Sequence, residues 1–154
     1  MRFVMLTRRN DQPIEFDYAK VTEKSRDNPV FYVQYAHARA RSVLRQKRKQ
    51  SSYPNLSLLT DIHEVRLIKH LATWPKCVES AAQYYEPHRI AFYLMDLASA
   101  FHGLWNAGRD NPDLKFIHET NNELTNARMH LVEASASVIK LGLNLLSVSA
   151  LEEM

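Results

Sequence analysis

Apolar side chains recur at helical spacing along most of this chain. Toward the end, Leu124, Ala127, Leu131, Ala134, Val138, Leu141 and Leu145 alternate steps of three and four without a break, the period of one face of an α-helix. A second stripe, Ile90, Leu94, Leu97, Ala98, Phe101 and Trp105, predicts a helix from Pro87 to about Ala107, ended by Gly108 and followed by a turn over 110–113. Upstream, Asp27-Asn28-Pro29 reads as an N-cap with proline in the first turn, opening a helix to about Lys47. Along that helix Val33, Ala36, Ala40 and Val43 make a narrow seam of small side chains. Thr60 or Asp61 can cap a further helix to Trp74; Pro75 then breaks or restarts it, leaving a short helix to about Tyr85. Residues 7–16 read as a loop, 17–25 as a short helix and 50–57 as a polar linker. Residues 3–6 are too few to tell a strand from a helix end. The sum is an all-α fold, a packed helical bundle in preference to a free coiled coil.

Composition narrows the chemistry. A chain of 154 residues, 45% hydrophobic, suffices for one compact domain. With three glycines and neither a dinucleotide fingerprint nor a P-loop, a self-contained nucleotide site is not expected. The single cysteine, Cys77, excludes an internal disulfide framework and a Cys-based zinc cage. His63-Glu64 and His70 are spaced by seven, not as a zinc-binding H-E-x-x-H, and His37, His88, His102, His118 and His130 form no pair at ligand spacing. No metal site is expected. Nor is a catalytic one: nothing local marks a base for Cys77, and no serine sits in a G-x-S-x-G elbow. No apolar run approaches the roughly 20 residues of a membrane span and no signal-peptide pattern opens the chain, so the expectation is a soluble intracellular protein.

Charge is unevenly spread. Residues 1–50 hold 12 Lys/Arg against 5 Asp/Glu, whereas the remainder holds 8 against 12. A basic surface facing a polyanion fits this asymmetry, as does a solvated basic helix. On the helix after Asn28, Tyr32, Tyr35 and Arg39 fall at i, i+3 and i+7 and share a face. Flat rings beside a guanidinium suit unpaired bases, and Arg41, Arg45, Lys47, Arg48 and Lys49 could follow a phosphate backbone. The same residues also fit two half-buried tyrosines beside a merely solvated basic run.

The segment DNPVFYVQYAHARARSVLR (27–45) resembles the entry helix of the anticodon-binding domain of bacterial-type arginyl-tRNA synthetases. MRFVMLTRRNDQPIEFDYAKVTEKS resembles the family's lead from the catalytic domain, and ARMHLVEASASVIKLGLNLLSVSALEEM (127–154) its closing helix and terminal methionine. The resemblance implies the helical DALR type of domain, with 1–26 a remnant of the connection and 27–154 the anticodon-binding domain. The family's HIGH-type and KMSKS-type signatures do not occur in this sequence. The resemblance therefore implies a C-terminal fragment of an arginine–tRNA ligase, inactive alone, that docks the anticodon stem-loop of arginine tRNA. ATP and arginine would bind the absent catalytic domain, leaving this chain without a cofactor. A cytoplasmic monomer is the family expectation.

Carried over by position, Tyr32, Tyr35 and Arg39 match residues lining the family's anticodon pocket. Phe101 and Trp105 match an aromatic pair bordering it, and Met154 matches the terminal methionine near the loop. In the family that surface favours cytosine at the middle anticodon position, and the resemblance implies the same preference here. Some members have tyrosine where this chain has Phe101. The closing segment often reads LLGVxAPExM, where this chain has Ser147 for glycine and Leu151 for proline. Arg45, Lys47, Arg48 and Lys49 remain generic phosphate candidates. The alternative, from a different functional class, is a helical protein-interaction module without RNA recognition.

Overall fold

The computed structural model describes residues 2–7, 23, 25, 27–46 and 53–154. Among these the chain forms six α-helices and no strand: α1 (Arg2–Met5), α2 (Pro29–Arg45), α3 (Ile62–Ala72), α4 (Trp74–Gln83), α5 (His88–Asp110) and α6 (Asn122–Leu145). Single 3₁₀ turns lie at Leu56–Leu58 and Pro112–Leu114. Most of the expected loop over 7–16, most of the expected helix over 17–25, and residues 47–52 lie outside the described residues.

Local chemistry sets the helix starts. The Asn28 side chain accepts a hydrogen bond from the Val30 amide, with Pro29 in the first turn. Asp61 and Glu64 form a reciprocal capping box at α3, and the Asn121 carboxamide accepts from the Leu124 amide at α6. Each cap satisfies amides that the helix leaves unpaired.

Helix α5 is the hub and packs against α2, α3, α4 and α6. Its Leu94, Leu97, Ala98, Phe101 and Leu104 meet Val33, Ala36, Ala40 and Val43 of α2, Leu67 of α3, and Leu131, Val132, Ile139 and Leu143 of α6 in one core. Phe3, in the short helix formed where 3–6 left strand and helix undecided, is also buried in that core.

Two expectations change. Gly108 does not end α5, which runs on to Asp110 and is capped by Asn111, whose amide donates to the Ala107 carbonyl. Glycine is required there for space: a Cβ would stand 2.8 Å from the Leu114 carbonyl oxygen of the returning chain. The second change concerns the seam of α6. Ala127 and Leu131 are buried and Val138 is partly buried, but Ala134 is exposed, as are Leu141 (54%) and Leu145 (57%). A strict seven-residue repeat drifts by about 20° per heptad on a straight helix, so the seam leaves the core. The inward face is instead Val132, Ser135, Ala136, Ile139, Gly142 and Leu143. Gly142 admits Leu94 so closely that a Cβ would lie 2.6 Å from its Cδ2.

Helix α6 closes with Ser147 at φ 54°, the Val148 amide donating to the Leu143 carbonyl and the Ser147 amide to that of Asn144. This pair of bonds is the Schellman arrangement, and its left-handed position favours glycine. Ser147 takes the left-handed backbone without glycine's freedom.

Candidate nucleic-acid interface

Helix α2 buries its seam of small side chains against α5 and α6, which leaves Tyr32, Tyr35 and Arg39 along the flank facing the middle of α5. The Arg39 guanidinium carbon lies 4.4 Å from the centroid of the Tyr35 ring and 4.5 Å from that of Trp105 on α5. Nη2 donates to the Tyr35 hydroxyl (2.6 Å) and Nη1 lies 3.0 Å from His102 Nδ1. One cation is thus set against two rings from two helices, attracted by their π faces, with hydrogen bonds fixing its plane.

His102 joins the rings. It stacks on Tyr35 at 5.6 Å and lies 4.6 Å from Tyr32, centroid to centroid. Burial drives its imidazole down to about 4, the Tyr32 carbonyl opposing and the Arg39 charge reinforcing that shift. A neutral ring that accepts from Arg39 at Nδ1 carries its proton on Nε2, which points to the Tyr32 carbonyl at 3.4 Å. His102 therefore acts on Arg39 as a neutral acceptor. From the sequence this histidine is expected to be structural or on the surface in preference to a metal ligand, with no partner named. Its spacing of three from Trp105, which puts both on one face of α5, was the available signal.

Of the carried-over residues, Tyr32, Tyr35, Arg39 and Trp105 converge. Phe101 does not reach the surface: it is fully buried and stacks on Phe116 at 5.6 Å, while Phe116 lies 6.0 Å from Trp105. The expected pocket-bordering residue is a support beneath the site, because its position on α5 turns it toward the core.

The loop carrying Phe116 is held by a buried ion pair. Arg128 Nε donates to Glu64 Oε1 at 2.6 Å, while Nη1 donates to the carbonyls of Asp113 (2.7 Å) and Lys115 (2.8 Å). The two side chains are 3% and 1% exposed, and the second Glu64 oxygen accepts from the Asp61 amide. Neither charge is left unsatisfied, which makes such deep burial tolerable. Beside Trp105 this loop walls a cleft of about 400 Å³ with Val43, Gly108, Leu114, Phe116 and Ile117.

Met154 ends a tail laid along another face of α2. Gln34 Nε2 donates to the Ser149 carbonyl (2.8 Å), His37 Nδ1 lies 2.8 Å from the Leu151 carbonyl, and Arg41 Nε lies 2.6 Å from Glu152 Oε2. Arg45 donates to the Glu152 carbonyl and lies 3.7 Å from Glu153. Met154 itself, at the end of this tail, is half-exposed. Of the four phosphate candidates, Arg45 is thus engaged by the tail, and Lys47, Arg48 and Lys49 lie outside the described residues. No group of three or more metal-ligating side chains gathers among the described residues, and no described helix is long and apolar enough to cross a membrane.

Fold and site together define a helical bundle that displays a ring-flanked arginine on its α2–α5 face. Residues 33–154 match the family described as DALR anticodon binding domain, and the chain belongs to that family. Over its whole length it is 52% identical to the arginine–tRNA ligases of Agrobacterium fabrum and Rhizobium meliloti, spanning 28% of the length of each. Among solved structures it superposes on Thermus thermophilus arginyl-tRNA synthetase with a TM-score of 0.87 and 34% identity, covering 99% of this chain and 26% of that one. Arginyl-tRNA synthetase from Plasmodium falciparum shares the fold, with a TM-score of 0.75 at 21% identity, over 99% of this chain and 26% of that one.

Proposed function

We propose that this chain is the anticodon-docking part of an arginine–tRNA ligase and that its α2–α5 face receives the anticodon loop of arginine tRNA. The observation that carries this reading is Arg39, fixed against Tyr35 and Trp105 and oriented by His102. Two of its five N–H bonds are taken up by Tyr35 and His102, so the rest can meet acceptors on a base edge or phosphate. Tyr35, 36% exposed, offers a surface on which an unstacked base can lie, and the cleft beside Trp105 offers a second apolar wall. Met154 approaches the loop from the tail.

Residues 27–154 form the binding domain in this reading, and 1–26 the connection to the catalytic part, anchored by Phe3. ATP and arginine bind that catalytic part, where aminoacylation takes place; this chain supplies tRNA docking and needs no cofactor. The protein works as a cytoplasmic monomer.

The test compares binding of the arginine-tRNA anticodon stem-loop with one whose middle cytosine is replaced. Preference for cytosine that disappears in Arg39→Ala is the expected result. Equal affinity for both hairpins would overturn base recognition, and salt-insensitive binding of a protein partner would replace it with the interaction-module reading.

A further inference from the structure

Arg41 and Arg45 of α2 are a poor place for RNA phosphates. Arg41 and Arg45 are engaged by Glu152 and Glu153, and Lys140 lies 3.7 Å from Glu152. The Arg41 guanidinium holds the Glu152 carboxyl below its ordinary range. Phosphates arriving there would compete with the protein's own carboxylates.

A different set of cations is unoccupied. Arg66 and Lys69 share a face of α3, and Thr73, at the junction with α4, lines one groove with them and an adjoining one with Lys76. Arg66, Lys69 and Lys76 are all exposed and form no ion pair among the described residues, whereas Arg89 and Arg109 are paired with Glu86 and Asp110.

The first groove has a volume of about 460 Å³, and in it Arg66, Lys69 and Thr73 face Asp96 and Ser99 of α5. Asp96 is the groove's carboxylate, so phosphates would approach along the outer rim. Ser99 stands three residues before His102 on α5. Gly103 borders the α3 side of α5, where an added Cβ would meet nothing nearer than His63 Nδ1 at 4.0 Å. The groove residues Asp96 and Ser99 and the ring-cluster residues His102 and Trp105 thus belong to one stretch of α5 but to its two flanks.

We infer that Arg66, Lys69 and Lys76 form the contact for the sugar–phosphate backbone of the RNA stem whose loop sits at Arg39. This inference rests on the reading above and adds the α3–α4 rim to the phosphate candidates at the end of α2. Phosphate contacts add affinity without base identity and release counterions, so each raises the salt dependence of binding.

The test titrates the 154-residue chain with the anticodon stem-loop at several salt concentrations, beside an Arg66→Gln/Lys69→Gln/Lys76→Gln variant and an Arg41→Gln/Arg45→Gln variant. The triple variant is expected to bind at least about tenfold more weakly at low salt and to lower the slope of log affinity against log salt by about two to three. Its preference for the middle cytosine should be kept, and the Arg41/Arg45 variant should change the slope by less than half as much. Circular-dichroism melting shows whether each variant is folded; should the triple variant fail to fold, the single Lys69→Gln and Lys76→Gln variants carry the test, each lowering the slope by about one. An unchanged slope with intact cytosine preference overturns this inference alone. Loss of the preference in a folded triple variant assigns these residues to base readout and overturns it too. A wild-type chain without preference overturns the anticodon reading, and one that ignores the hairpin overturns both. Capture of a polyglutamate peptide as tightly as the hairpin, lost in the triple variant, would assign the rim to an acidic protein partner instead.

Discussion

A guanidinium on a flexible stem samples many rotamers in water, and freezing it against a ligand costs entropy. At Arg39 that cost falls on folding, because two rings and an imidazole already fix the plane. Tyr35→Ala and Trp105→Ala are therefore each expected to weaken stem-loop binding by about 1–3 kcal/mol, measured by titration, with the bundle still folded. Lysine at position 39 would keep the charge and lose the flat fork. The depressed imidazole of His102 makes a separate prediction. Folded protein keeps it neutral down to about 4, whereas the unfolded chain takes up a proton near 6.5. Stability from this residue is complete above about pH 6.5 and is lost as pH falls toward about 4. Melting temperatures across that range should show the decline, and His102→Asn, which retains an acceptor for Arg39 without titrating, should flatten it.

Among the elements, helix α6 shows what periodicity reveals and what it conceals. The three-four alternation identified a long helix, but a repeat of 3.5 does not choose the core-facing side of a straight helix with 3.6 residues per turn. Leu131→Ala should cost about 2–5 kcal/mol in chemical denaturation, whereas Leu141→Ala, in the same apparent seam, should stay within about 0.5 kcal/mol. At the end of the helix, Ser147→Gly should stabilise the domain by about 1 kcal/mol, since a left-handed residue other than glycine carries a steric penalty of that order; the same measurement checks it. Caps were legible because Asn28, Asp61 and Pro29 act on neighbouring backbone. Gly108 misled because its reason is a carbonyl brought by a separate loop, and nothing local in sequence announces such an approach. Phe101 and Trp105 are four apart, yet one is buried and the other borders the cleft. A shared helix face does not by itself separate core from rim.

Across the whole molecule, the sequence contained the family resemblance and the partners of the site on α2, while their companions on α5 needed the tertiary fold to be seen as one cluster. His102 escaped notice because an isolated histidine carries no label for its acceptor role. Glu64 and Arg128 escaped because their pairing joins positions 64 apart. That pair has a consequence for motion. Arg128 grips the Asp113 and Lys115 carbonyls from inside the bundle, so the loop opens only when α6 also lets go. In hydrogen–deuterium exchange, the amides of Leu114 and Lys115, which donate to the Asn111 and Pro112 carbonyls, should exchange with the slow kinetics of the core, despite their surface location. Arg128→Met leaves Glu64 buried without its partner and should cost about 3–5 kcal/mol. It should also release those two amides into the fast-exchanging class, turning a segment that opens with the whole bundle into one that opens alone.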